Sequence, residues 1–157
     1  MCALFWNVQG ACSLGFRDHL RRIVRKYDPS LIALVETRVC GRCADFVIRH
    51  LGFDLSFHVE AHGFRGGIWI LWKRSIDVRF LCLSNQYVHM EVLEHGQSSL
   101  VFVIAVYGSP NNTFRKFLWS QLEDLDPGPY KMWVLGGISM LFRMLMIGEE
   151  AFLAVMG

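Results

Sequence analysis

Between residues 53 and 107, five apolar segments follow one another with no helical period among them. FDLSFHV (53–59), GGIWILW (66–72), DVRFLCL (77–83), YVHMEVL (87–93) and SLVFVIAVY (99–107) alternate apolar and polar residues or run on as β-branched and aromatic stretches, the marks of strands. EHGQ (94–97) supplies a turn between the last two. Consecutive strands on short turns pair as antiparallel hairpins, so the middle of this chain can only be sheet.

The flanks read differently. CALFWNV (2–8) is a buried strand pattern, and Phe16 to Tyr27 is an amphipathic helix with Leu20, Ile23 and Val24 inward. Asp28-Pro29-Ser30 stops that helix, and SLIALVE (30–36) is a second buried strand. Ala44 to Leu51 reads as a short helix with Gly52 at its C-terminal cap. A helix from Thr113 to Leu125, capped by Thr113, ends in DPGP (126–129), and KMWVL (131–135) is one more strand. Helices between early strands and hairpins in the middle predict two stacked sheets with helices outside, a four-layered α+β sandwich. At 157 residues one such core is the expected limit.

Composition narrows the function classes. The net charge of +2 does not by itself argue for nucleic acid or anionic lipid, although RDHLRRIVRK (17–26) holds five of the 16 basic residues. With 53% apolar residues and a mean hydropathy of +0.31, some apolar surface is expected outside the core. Five cysteines and no signal-peptide pattern before Trp6 suit a reduced, intracellular setting. CGRC (40–43) has zinc-knuckle spacing, but only the scattered His50 and His58 are available to complete a tetrad. No apolar run reaches the roughly 18 residues of a membrane span; Arg143 and Glu149-Glu150 interrupt the most apolar stretch.

Three polar residues close strands. Asn7 ends the first in FWNVQG, Glu36 the second in LVETR, and Tyr107 the seventh in AVYGSP. An amide oxygen and a carboxylate leaving neighbouring strands are hard donors, suited to Mg²⁺ or Mn²⁺ rather than zinc. A tyrosine hydroxyl nearby would hydrogen-bond a phosphate oxygen. Alone, each has a plainer use: Asn7 in a turn, Glu36 paired with Arg38, Tyr107 in packing. His62 and His89 read as strand-face residues, and Trp69 and Trp72 as core.

WNVQGA, LIALVETRV, GFRGGIWILW, YVHMEV, AVYGSPNNTFRKFLW and WVLGG, in that order, resemble the endonuclease/exonuclease/phosphatase domain of plant LINE-type (non-LTR) retrotransposons over residues 3–137. The resemblance implies a DNase I-like α/β/β/α sandwich and a Mg²⁺-dependent phosphodiesterase that nicks DNA. It makes Asn7 and Glu36 the metal-side residues, with Glu36 binding the ion directly and Asn7 near it. Tyr107 would contact the scissile phosphate, and Arg115 and Asn111 would lie on the DNA side. It implies DNA as partner, no small-molecule cofactor, no membrane, and action in the nucleus.

The likeness stops at Gly137. In the family an Asp-Phe-Asn triplet follows the two glycines and a Ser-Asp-His strand closes the site; here Ile138-Ser139-Met140 follows. The chain has no histidine after His95, no asparagine after Asn112 and no aspartate after Asp126. Residues 138–157 carry four of the seven methionines and read as an unrelated apolar tail, so 1–137 is expected to be a partial domain, incomplete at its C-terminus. A functional amphipathic helix spaced on Leu141, Leu145 and Phe152 is the alternative reading of that tail. The expected consequences are weak or absent nicking and an unpaired sheet edge with exposed core. A nucleic-acid-binding remnant and a non-functional relic are the alternative readings.

Overall fold

The computed structural model describes residues 1–63, 65–126, 128, 131–137 and the backbone of 152–156. Its elements run β1 (Cys2–Asn7), α1 (Phe16–Tyr27), β2 (Leu31–Val35), α2 (Gly41–Arg49), β3 (Leu55–His62), β4 (Arg65–Trp72), β5 (Ile76–Leu83), β6 (Tyr87–Glu94), β7 (Leu100–Val106), α3 (Asn112–Asp124), β8 (Met132–Gly137) and β9 (Phe152–Met156). One sheet has the order β3-β4-β2-β1-β9 and the other β5-β6-β7-β8.

Alternation along the strands assigns each residue to a layer. Phe5, Ala33, Val35, Ile68 and Ile70 of the first sheet meet Val88, Met90, Val103 and Ala105 of the second in the central core. From the other face of the first sheet, Leu4, Ile32, Leu34, Trp69 and Leu71 pack under α1 and α2. Tyr87, Ile104 and Val106 on the outer face of the second sheet meet Leu118 and Leu122 of α3. The layers are therefore helix, sheet, sheet, helix, as expected, with each fully buried aliphatic or aromatic side chain contributing about 1.5–3 kcal/mol of transfer free energy.

Several local expectations change. Asn111 caps α3, not Thr113: the Asn111 side-chain oxygen accepts from the Thr113 N–H, the more favourable arrangement for an orphan amide of the first turn. The second helix starts at Gly41 and ends at Arg49, before the expected Gly52 cap, because His50 closes it with backbone bonds to Ile48 and Val47. Phe152–Met156 is a strand parallel to β1, with Cys2 beside Phe152 and Trp6 beside Met156. The outer edge of β1 is thus paired, while β8 has β7 alone beside it and is an edge strand among the described residues; Phe152 does not belong to a helix, and Leu141 and Leu145 lie outside the described residues.

Gly136 and Gly137 in β8 are set by packing. A Cβ on Gly136 would lie 2.3 Å from the Phe5 ring, and one on Gly137 would lie 1.9 Å from the Val106 carbonyl oxygen. No side chain fits where β8 crosses β1 and leaves β7. No helix among the described residues is long and apolar enough to cross a membrane.

Candidate active site

β1 and β2 are parallel with Asn7 beside Val35, so Asn7 and Glu36 leave adjacent strands at the same, C-terminal end of the sheet. Loops at such ends are where sheet folds collect their ligands. The chain turns sharply there: Glu36 has φ 58° and Arg38 φ 56°. A left-handed L-residue costs on the order of 1 kcal/mol. Bonds to β4 offset that cost, from Thr37 N–H to Gly67 O at 3.3 Å and from Arg38 N–H to Gly66 O at 3.0 Å. The turn points both charged side chains one way, and Arg38 Nη2 donates to Glu36 Oε1 at 2.5 Å.

Tyr107 follows β7 and crosses to the same place from the second sheet. Its N–H donates to the Gln86 carbonyl oxygen at 2.6 Å. The ring lies against Gly66, where an added Cβ would sit 3.1 Å from Tyr107 Cε1 and where φ is 72°. Glycine is required there for both reasons. Burial raises the Tyr107 pKa above the ordinary value of 10 and the Glu36 charge adds to this, opposed by Arg38, Arg65 and a hydrogen bond with the Gly66 backbone. Near neutral pH the phenol is therefore a hydrogen-bond donor.

Glu36, Tyr107 and Asn111 line one open cavity of about 620 Å³. Asn7 and Arg115 do not line it. The Asn7 side-chain oxygen accepts from the Gln9 N–H at 3.3 Å, closing its own turn. The Arg115 guanidinium donates to Pro110 O at 3.2 Å and Asn112 Oδ1 at 3.4 Å, bracing the loop ahead of α3. Sequence reasoning missed Arg65, Gln86 and Phe114, which line the cavity too, and treated Arg38 only as a partner for Glu36. His62, read as a strand-face residue, also faces the cavity. Tertiary folding brings these in: the β3–β4 hairpin sets His62 opposite Arg65.

Among the described residues no group of three or more His, Cys, Asp or Glu is placed to hold a metal ion. Glu36, with one oxygen on Arg38, and the Asn7 amide at the next strand end, whose oxygen also accepts from Gln9 N–H outside the cavity, are a sparse set of hard-oxygen donors. Such a set fits Mg²⁺, which keeps several waters and takes one or two carboxylates together with substrate phosphate. It does not fit zinc, which needs a fuller protein set.

No protein-family model matches the sequence, and no curated protein matches it. Solved structures do match. An AP endonuclease, LMAP from Leishmania major, is similar with a TM-score of 0.61 and 16% identity over 85% of this chain and 53% of that one. TDP2 from D. rerio, complexed with single strand DNA product, is similar with a TM-score of 0.55 and 19% identity over 85% of this chain and 58% of that one. The fold is DNase I-like. The human Nocturnin catalytic domain agrees, with a TM-score of 0.55 and 12% identity over 84% of this chain and 60% of that one. The chain spans between about half and two thirds of these DNase I-like structures.

Proposed function

We propose that this chain is a divalent-cation-dependent phosphodiesterase domain that binds DNA, of retroelement origin, with hydrolysis reduced to a trace. The observation that carries the reading is the convergence of a strand-end carboxylate, Glu36, and a protonated phenol, Tyr107, on one open cavity with Arg38 and Arg65. The two arginines offer charge to a phosphodiester, and the Tyr107 hydroxyl donates to one of its oxygens. Glu36 and Asn7 would hold Mg²⁺ or Mn²⁺, which supplies positive charge to the phosphoryl oxygens and the leaving group. The similar AP endonuclease and DNA-bound TDP2 support a nucleic-acid substrate.

By the resemblance, the Asp-Phe-Asn triplet that would orient and deprotonate the attacking water is replaced after Gly137 by Ile138-Ser139-Met140. Losing a positioned general base costs about 10²- to 10⁴-fold; losing an electrostatic donor costs about 10²- to 10³-fold. These factors do not simply multiply, and the joint loss leaves binding as the larger part of the function. A phosphate-binding remnant without chemistry is the second reading, favoured by the Arg38–Glu36 pair, which satisfies the carboxylate without a metal ion.

Hydrolysis of bis(p-nitrophenyl) phosphate with Mn²⁺ tests the reading at its simplest. A slow release of nitrophenolate that Tyr107→Phe abolishes supports the phosphodiesterase; release unaffected by Tyr107→Phe contradicts it.

A further inference from the structure

Three aromatic rings on α3, Phe114, Phe117 and Trp119, are exposed and lie outside the core. Phe114 and Phe117 are 58% and 61% exposed. They stand three residues apart and therefore on one helix face, while Leu118 and Leu122 carry the packing of α3 on the sheet.

Phe114 is tied to the candidate active site. It lines the same cavity as Tyr107 and Glu36. Gln86 links the two: its Nε2 donates to the Phe114 carbonyl oxygen at 3.4 Å, and its own carbonyl oxygen accepts from the Tyr107 N–H at 2.6 Å. Gln86 is only 7% exposed, and its Oε1 has no hydrogen-bond partner among the described residues. Between the rings the sequence is Phe114-Arg115-Lys116-Phe117, with Lys116 exposed. Asn85 and Asn111 add amide groups at the cavity wall.

Flat apolar faces interleaved with cations, beside amides that can both donate and accept, match a nucleotide strand whose bases are unstacked. Duplex DNA keeps its base faces covered and offers such rings nothing to stack on. We infer that Phe114 and Phe117 form a base-stacking track that leads a single-stranded nucleic acid into the Tyr107–Glu36 cavity. The cleavage role of that cavity rests on the function proposed above, whereas stacking is measurable without any hydrolysis.

The test is fluorescence anisotropy of the whole chain, without divalent cation and at low salt, with three probes: oligothymidylate, the same length of duplex, and an abasic oligomer with the same phosphates. The expected result is single-strand binding tighter than duplex or abasic binding by about tenfold or more, the weight of a stacked base or two. Phe114→Ala and Phe117→Ala each remove most of that advantage, and Phe114→Trp keeps it. Both rings are exposed, so circular dichroism of the variants should match the parent. Equal binding of oligothymidylate and the abasic oligomer by the unmodified chain overturns the inference whatever the variants do. So does a single-strand preference that survives both alanine substitutions. A stacking preference in a chain that hydrolyses no phosphodiester would leave the track standing and remove the catalytic reading alone.

Discussion

Arg38 and Glu36, two residues apart and both in the left-handed region, close on each other with Nη2 and Oε1 2.5 Å apart. The arginine stands where a cation would neutralise the carboxylate, so the protein carries its own counter-charge at the proposed metal residue. The pair is partly open, with 41% of the Arg38 side chain and 20% of the Glu36 side chain exposed.

Freeing the carboxylate should tighten metal binding. Arg38→Met is expected to raise Mn²⁺ affinity about two- to fivefold, the equivalent of about 0.5–1 kcal/mol for a partly exposed ion pair. Titration calorimetry checks this beside Glu36→Gln, which should bind no ion at the site. Equal affinity for Arg38→Met and the parent would mean that the pair does not compete with the metal.

Gly136→Ala tests the packing at β8. The new Cβ would meet the Phe5 ring at 2.3 Å, and Phe5 is 1% exposed in the central core. Overpacking of this kind costs about 1–3 kcal/mol, read as a lower urea midpoint. A combined Phe5→Leu change should recover part of the loss.

Much of the fold was legible in the sequence and less of the site. Period-two alternation exposed β5 and the apolar runs exposed β2, β4 and β7, because burial on one or both faces leaves a direct trace in residue order. Glu36 and Tyr107 were legible because both close such runs, and they do meet in one cavity. Arg65 and Gln86 were not, since only the β3–β4 hairpin and the turn before β6 bring them near Tyr107. Strand β9 was also hidden: a short apolar run carries no sign of which edge it will pair with, and FLAVM read as part of a tail. Asn7 was placed at the right strand end, but its amide oxygen serves its own turn.

His89 links stability to pH. It is 6% exposed, its ring Nε2 has no hydrogen-bond partner among the described residues, and burial holds its pKa below the ordinary 6.5 while Glu91 opposes that shift. The unfolded chain takes up this proton as pH falls below about 6.5, and the folded chain resists it. The stability due to neutral His89 is therefore present above that pH and lost on acidification toward the lower folded pKa. Urea midpoints measured from neutral pH down to about pH 5 should fall, and His89→Phe should flatten that fall.

The α3 cap has a defined weight. Asn111 Oδ1 accepts from the Thr113 N–H at 2.9 Å at the cavity wall. Asn111→Ala should cost about 1 kcal/mol in a thermal melt, whereas Thr113→Ala should be close to neutral.

The most direct test of the central claim is nicking of supercoiled plasmid by the purified chain with Mg²⁺ or Mn²⁺, beside Glu36→Gln. A slow, metal-dependent conversion to open circles that Glu36→Gln abolishes is the predicted result. Nicking that proceeds unchanged with Glu36→Gln, or without divalent cation, would contradict the assignment of the Glu36–Tyr107 cavity as the phosphodiesterase site.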